Sequence, residues 1–247
     1  MNTKAQQLSQ DIEVRYSDMD LDKNLKMTSV LSFFQDIATA SAEKLGFGQS
    51  YTFPKKMMWV LLKYRIEIKE YPTERAKLTL ITEPRGCNKF FAFRNFQLFE
   101  QNRLIAQASS TWALVNFETM EIIGVENACA EVPTMQKFVP NETDLKYDKI
   151  PALTQTDYEE TFTVRYADLD INHHANNTRY IEWALEPLPY EYKRQHKLKN
   201  VDIVYKKEIK YGEKLVSKVQ MVDEKTTVHV VQNAENGQDL CYLKCEW

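Results

Sequence analysis

Seven residues able to do chemistry fall within ten positions of VRYADLDINHHANNTRYIEWALE, residues 164–186: Asp168, Asp170, Asn172, His173, His174, Asn176 and Asn177. Carboxylates and amides orient partners, and an imidazole titrates near neutral pH, so the set suits general acid–base work at a loop. The start D-x-D-x-N also suggests a calcium loop. Such a loop needs Gly at its sixth position and a bidentate Glu at its twelfth, and these hold His173 and Arg179. A transition metal on His173, His174 and Asp170 is disfavoured because adjacent residues of an extended segment point apart. No metal is therefore expected. Part of the cluster has a plainly structural reading: Asp168 pairs with Arg165, and Asn176 or Asn177 caps the helix that follows.

The elements that position these groups occur twice. VRYSDMD at 14–20 matches VRYADLD at 164–170 with an offset of 150, and YRIEIK at 64–69 matches YKKEIK at 205–210 with an offset of 141. The second copy is then nine residues shorter in between. LIAQASSTW, ending at Trp112, lies on LCYLKCEW, ending at Trp247. What differs is the chemistry, since Asp22 and Asn24 stand where the second copy has Asn172 and His174. The imidazole belongs to the C-terminal copy alone, while Glu67 and Glu208 are matched.

Each copy reads as a short strand, a polar loop, a helix and a run of strands. In the first, Val30, Phe33, Phe34, Ile37, Ala38, Ser41 and Leu45 follow helical spacing and Gly46 is the stop. In the second, Tyr180, Ile181, Ala184 and Leu185 form the apolar stripe, Pro187 and Pro189 end the helix, and YEYKRQHKL reads as a second short one. Strands are expected in MMWVLLKYRIEI, KLTLIT, FFAFRNFQLF and IAQASSTWALVNF, then in NVDIVYKKEIK, KLVSKVQMV, TTVHVVQNA and DLCYLKCEW. This is an α+β layout: an N-terminal domain at 1–135, a linker at 136–160 wrapped over the surface, and a C-terminal domain at 161–247.

The totals narrow the class. A 247-residue chain that is 43% hydrophobic and 12% aromatic can build a substantial core without staples. A net charge of −3 gives no general attraction to nucleic acid. The opening residues lack a secretory stretch and no apolar run is long enough to span a membrane, so a cytoplasmic protein is expected. Cys87, Cys129, Cys241 and Cys245 make no C-x-x-C pair and read as packing thiols. With six glycines and no phosphate-cradling motif, no nucleotide cofactor is expected.

The segment D-L-D-x-N-x-H-x-N-N-x-x-Y-I-x-W-x-L-E-x-x-P, followed by Y-K-K-E, resembles the acyl-acyl carrier protein thioesterases. The resemblance covers essentially all of the second copy, with His196 in the short helix after the prolines, and reaches the first through VRYSDMD and the long helix. It implies two tandem hotdog domains, each an antiparallel sheet wrapped around one long helix, the first holding the acyl chain and the second carrying catalysis. It further implies hydrolysis of fatty acyl-acyl carrier protein in fatty acid biosynthesis, without cofactor or metal. Catalytic roles fall to Asp170, Asn172, His174 and Glu208, with backbone N–H groups near Asn176 and Asn177 as oxyanion donors. Glu208 with His174 would activate water, Asn172 would hold the imidazole or the water, and Asp170 would orient the loop. Plant members carry a cysteine after this Glu, and Ile209 here removes a thiolate route at that position.

An acidic carrier needs a basic surface, and Lys193, Arg194, Lys197 and Lys199, with Lys206, Lys207, Lys210 and Lys214 nearby, can supply it. Phe33, Phe34, Ile37, Trp59 and Leu61 read equally as tunnel lining or as core. Two hotdogs in one chain let a monomer suffice, and a homodimer stays open. The rival readings are a hydroxyacyl-thioester dehydratase, whose H-F-P-G-x-P loop does not occur here, and a non-catalytic acyl-binding module.

Overall fold

The computed structural model describes residues 6–247. The chain divides into two compact units, one running to Lys63 and resuming over Lys69–Lys146, the other made of Tyr64–Ile68 and Tyr147–Trp247. Both have the expected α+β make-up. Among the described residues no helix is long and apolar enough to cross a membrane.

The first unit contains β1 (Leu8–Glu13), α1 (Met27–Lys44), α2 (Gln49–Thr52), β2 (Met57–Ile68), β3 (Lys77–Cys87), β4 (Phe91–Glu100), β5 (Arg103–Asn116), β6 (Ile122–Ile123) and α3 (Val125–Ala128). Its strands lie in the order β1-β3-β4-β5-β2, with β6 on β5 and the last five residues of β2 belonging to the other unit. The predicted face of α1 is the buried one: Val30, Phe34, Ile37, Ala38 and Ser41 are covered, joined by Leu31, while Phe33 is half-buried. Phe34 stacks on Phe96 of β4 with centroids 4.7 Å apart, which fixes the helix against the sheet. Gly46, at φ +84°, ends the helix in the left-handed region that favours glycine.

The second unit contains β7 (Tyr158–Thr163), α4 (Asn177–Leu185), α5 (Tyr190–Gln195), β8 (Asn200–Tyr205), β9 (Lys214–Asp223), β10 (Thr226–Asn233) and β11 (Asp239–Glu246). From β8 the strand order runs β8-β11-β10-β9-β7, with all four of these neighbouring pairs antiparallel. Its central helix has nine residues against eighteen in α1. Pro187 and Pro189 explain the difference, because neither can donate the next helical hydrogen bond. His196 falls just beyond α5, stacked on Tyr192 at 4.2 Å, rather than inside the short helix.

The connecting residues are strapped down. Gly86, at φ +96°, lets β3 pass under the next segment, where an added Cβ would meet the Gln136 carbonyl oxygen at 2.5 Å. Cys87 then donates to Gln136 and Phe138 donates back to Cys87, both at 2.8 Å. Buried Arg85 holds Asp144 at 2.9 Å in the first unit, and Lys244 holds Asp148 at 2.8 Å in the second. Strand β7 begins at Tyr158, so regular pairing starts inside the stretch expected as linker.

Candidate active site

The polar loops of the two copies share their main backbone bonds at the offset of 150. The Asp170 N–H donates to the His174 carbonyl at 2.8 Å, as that of Asp20 does to Asn24 at 2.9 Å. His173 donates to the Asp170 carbonyl at 3.1 Å and Lys23 to that of Asp20 at 3.2 Å. Both residues adopt positive φ, +64° and +61°. His173 therefore sits at a turn and not on the extended segment used to set the histidines apart. In each loop one aspartate shapes the turn: Asp170 Oδ1 accepts the Asn172 N–H at 2.8 Å, and Asp20 Oδ1 accepts that of Asp22 at 2.9 Å.

The same loop places the helix. Asp168 is fully buried, receives both the Arg165 side chain (2.9 and 3.0 Å) and the Arg165 N–H (2.8 Å), and has Arg179 at 3.7 Å. Burial raises its carboxyl, but these hydrogen bonds outweigh burial and hold it below the usual aspartate range. Its carbonyl takes the Asn176 N–H at 2.8 Å. Asn176 is the cap: its Oδ1 accepts the Thr178 N–H at 2.9 Å and the Thr178 hydroxyl at the same distance. With Asn176 engaged through both backbone and side chain, the expected oxyanion donors narrow to the Asn177 N–H, the first of α4.

His174 and Glu208 meet, with Nδ1 and Oε2 3.2 Å apart and both side chains partly open to solvent. The helix-side loop and the Glu208 segment are also joined through the backbone, where the Ala175 N–H donates to Ile209 at 3.0 Å and His174 bridges Lys210. Asn172 does not hold the imidazole. Its side-chain amide leans instead on Asp170 Oδ2 at 3.4 Å, because the turn directs both groups to the same side.

The second repeat match needs a change of register. Strands β2 and β8 end at Ile68 and Tyr205, and the next two N–H groups of each converge on one carbonyl: Lys69 and Glu70 on Ile105, Lys206 and Lys207 on Leu240. Arg75 donates to Val14 and Gly212 to Val164, both at 3.0 Å. The strand ends and the donors in each case are offset by 137, not 141, so the copies differ by 150 minus 137, or thirteen residues, rather than nine. Glu208 thus corresponds to Tyr71 and not to Glu67, which lies within β2 with Arg65 at 3.8 Å. The N-terminal unit lacks the carboxylate as well as the imidazole.

Three side chains that the motifs do not reveal complete the surroundings, Tyr180 and His229 buried and Tyr205 half-buried. Tyr180 Oη donates to the Lys207 carbonyl at 3.3 Å and Tyr205 Oη to that of Asn177 at 3.2 Å. His229, wholly buried on β10, ties down the other end of α4: its Nδ1 is 2.7 Å from the Ala184 carbonyl, and its Nε2 2.7 Å from the Thr227 hydroxyl. A carbonyl only accepts, so Nδ1 carries the proton and Thr227 donates to Nε2, while Trp247 Nε1 donates to Thr227 at 3.0 Å. Burial pushes the His229 pKa down to about 4.

The family model described as the acyl-ACP thioesterase N-terminal domain matches residues 5–132, and its C-terminal counterpart matches residues 151–247. The chloroplastic acyl-acyl-carrier-protein hydrolase FATB3 of Cuphea viscosissima is 25% identical over 96% of this chain and 61% of its own length. The chloroplastic oleoyl-acyl carrier protein thioesterase 2 of Arabidopsis thaliana is 24% identical over 95% of this chain and 74% of its own. The chain thus spans about three fifths to three quarters of these two relatives. In fold it is similar to an acyl-ACP thioesterase from Bacteroides thetaiotaomicron, with a TM-score of 0.87, 24% identity and coverage of 100% and 99%. It is likewise similar to the 12:0-ACP thioesterase of Umbellularia californica, with a TM-score of 0.85, 18% identity and coverage of 98% and 97%. With both domain models matched in order over most of its length, the chain belongs to the acyl-ACP thioesterase family, and its two units are the tandem hotdogs of that fold.

Proposed function

We propose that this chain hydrolyses fatty acyl thioesters borne on acyl carrier protein, releasing free fatty acid in cytoplasmic fatty acid biosynthesis. The observation that carries the reading is the 3.2 Å contact between His174 Nδ1 and Glu208 Oε2 on a loop next to a helix N-terminus. An ionised carboxylate only accepts, so Nδ1 carries the proton and Nε2 offers its lone pair. The Nε2 atom takes a proton from water as the water oxygen bonds to the thioester carbonyl carbon, and Glu208 holds the tautomer and steadies the imidazolium. Collapse of the tetrahedral intermediate breaks the C–S bond, and the proton on Nε2 passes to the leaving thiolate. The products are a carboxylic acid and a free thiol.

In this scheme Asp170 keeps the turn and Asn172, freed from the imidazole, steadies the water. The Asn177 N–H receives the oxyanion where the helix start favours negative charge. The acyl chain lies in the N-terminal unit. Carrier docking falls to the lysines around Glu208: the side chains of Lys207, Lys210 and Lys214 have no hydrogen-bond or ion-pair partner among the described residues, and exposed Tyr211 follows Lys210 in the chain. Of the basic residues beyond α4, Lys193 is already paired with Glu186 at 3.2 Å and Lys199 reaches the Trp247 carbonyl at 3.4 Å.

The test is to mix purified protein with long-chain acyl-acyl carrier protein and follow free thiol. Thiol release supports the proposal. Enoyl absorbance without thiol points to a dehydratase, saturable binding without chemistry points to a carrier, and either result overturns it.

A further inference from the structure

Two tyrosines cross-tie the partners of the candidate pair from opposite sides. Tyr180 lies on α4, beyond His174, and is 2% exposed. Its hydroxyl donates to the Lys207 carbonyl at 3.3 Å, so it holds the peptide group that leads into Glu208. Tyr205, the last residue of β8, leads into the Glu208 segment and reaches back the other way. Its hydroxyl donates to the carbonyl of Asn177, the first residue of α4, at 3.2 Å. The rings pack edge to face with centroids 5.8 Å apart, which leaves neither side chain room to swing away.

This bracing matters because Glu208 lies outside every strand and helix. Without a ladder on either side, a carboxylate on such a segment would sample several positions, and misplacement of a reacting group by about 1 Å can cost ~10²-fold in rate. Backbone bonds hold the segment on either side of the carboxylate, where Lys206 and Lys207 donate to Leu240 and Ala175 donates to Ile209, but they do not tie the residue before Glu208 to α4. Tyr180 adds a side-chain hold on the residue just before Glu208. Burial pushes both phenols well above their ordinary range, so each remains a neutral hydroxyl donor throughout the working pH range.

We infer that Tyr180 and Tyr205 are positioning residues, which set the distance between His174 and Glu208 by tying the helix after His174 to the segment that bears Glu208. Neither touches the reacting atoms. The inference rests on the reading of His174 and Glu208 as the reacting pair.

The experiment compares Tyr180→Phe, Tyr205→Phe, Glu208→Gln and the double variant Tyr180→Phe with Glu208→Gln, measuring thiol release from acyl-acyl carrier protein and the Tm of each. Each Phe variant is expected to lower kcat about tenfold with KM held within about twofold, because positioning acts on the chemical step. On the Glu208→Gln background, Tyr180→Phe is expected to change kcat by less than about twofold, since the group it positions is already gone. Unchanged kcat in both Phe variants overturns the inference, as does a full tenfold loss on the Glu208→Gln background. Glu208→Gln turning over at the wild-type rate overturns the reading of the pair itself, which separates that failure from the other two. Phe keeps the ring packing, and the two tyrosines act from different elements, so one variant stays readable if the other folds poorly.

Discussion

Glu208 and Tyr71 occupy the same place in the two units, each three residues past the end of its strand and just after a pair of N–H groups that share one carbonyl. The sequence match that pairs Glu208 with Glu67 is four residues out of register. The two glutamates therefore predict opposite outcomes. Glu208→Gln is expected to lower kcat by about a hundredfold or more, the scale of a lost acid–base partner, and Glu67→Gln to leave it within about twofold. Initial rates of thiol release from acyl-acyl carrier protein check both, and equal losses would contradict the register.

The buried His229 makes stability fall on the acid side. Its pKa is lowered from 6.5 to about 4 in the folded protein, so between those pH values the unfolded chain binds a proton that the native protein does not. The native state is unaffected above pH 6.5, loses stability progressively as pH falls through the window, and below about 4 has lost about 3 kcal/mol in total from this one group. His229→Asn removes the titration. Urea melts at pH 7 and pH 4.5 should show a smaller acid loss for the variant than for the wild type, whereas parallel losses would exclude His229 as the source.

Asp168 and Asp18 stand at equivalent loop positions but are held differently. Asp168 is wholly buried and takes the Arg165 guanidinium as well as a backbone N–H, whereas Asp18 is only partly buried and takes the Arg15 N–H at 2.9 Å. Asp168→Ala is expected to cost about 2–3 kcal/mol, as for charge-assisted bonds at a buried acceptor, and Asp18→Ala about 1 kcal/mol. Chemical denaturation of the two variants gives the comparison.

The lysines around Glu208 should govern carrier use. Lys207→Glu with Lys214→Glu is expected to raise KM for acyl-acyl carrier protein several-fold while leaving hydrolysis of a small acyl thioester unchanged, and Lys193→Glu to do neither. Added salt should mimic the double variant, because exposed charges are screened over a Debye length of ~8 Å at physiological ionic strength. Salt-independent kinetics on the carrier substrate would remove these lysines from docking.

The elements were largely legible in the residues. Strand β2 coincides with MMWVLLKYRIEI, and the α1 stripe with the buried face of the helix, because a period of two or 3.6 is imposed by which side faces the core. The loop offset of 150 was equally plain, since its turn depends on Asp20 and Asp170 themselves. What stayed hidden depends on partners far along the chain. Tyr180 reaches residue 207, Tyr205 reaches 177 and His229 reaches 184, and a hydroxyl or imidazole in an apolar run reads simply as core. The register slip arose where four residues of YRIEIK and YKKEIK agree in type but not in backbone, one segment paired in β2 and the other bent out of the ladder after Tyr205.

The central claim is that the C-terminal unit alone carries the reacting imidazole. The most direct measurement is the rate of thiol release from long-chain acyl-acyl carrier protein by the wild type and by His174→Ala, with Tm recorded for each. The expected result is a loss of about a hundredfold or more in kcat with Tm unchanged, as for removal of a positioned base. Wild-type turnover by a folded His174→Ala protein would contradict it.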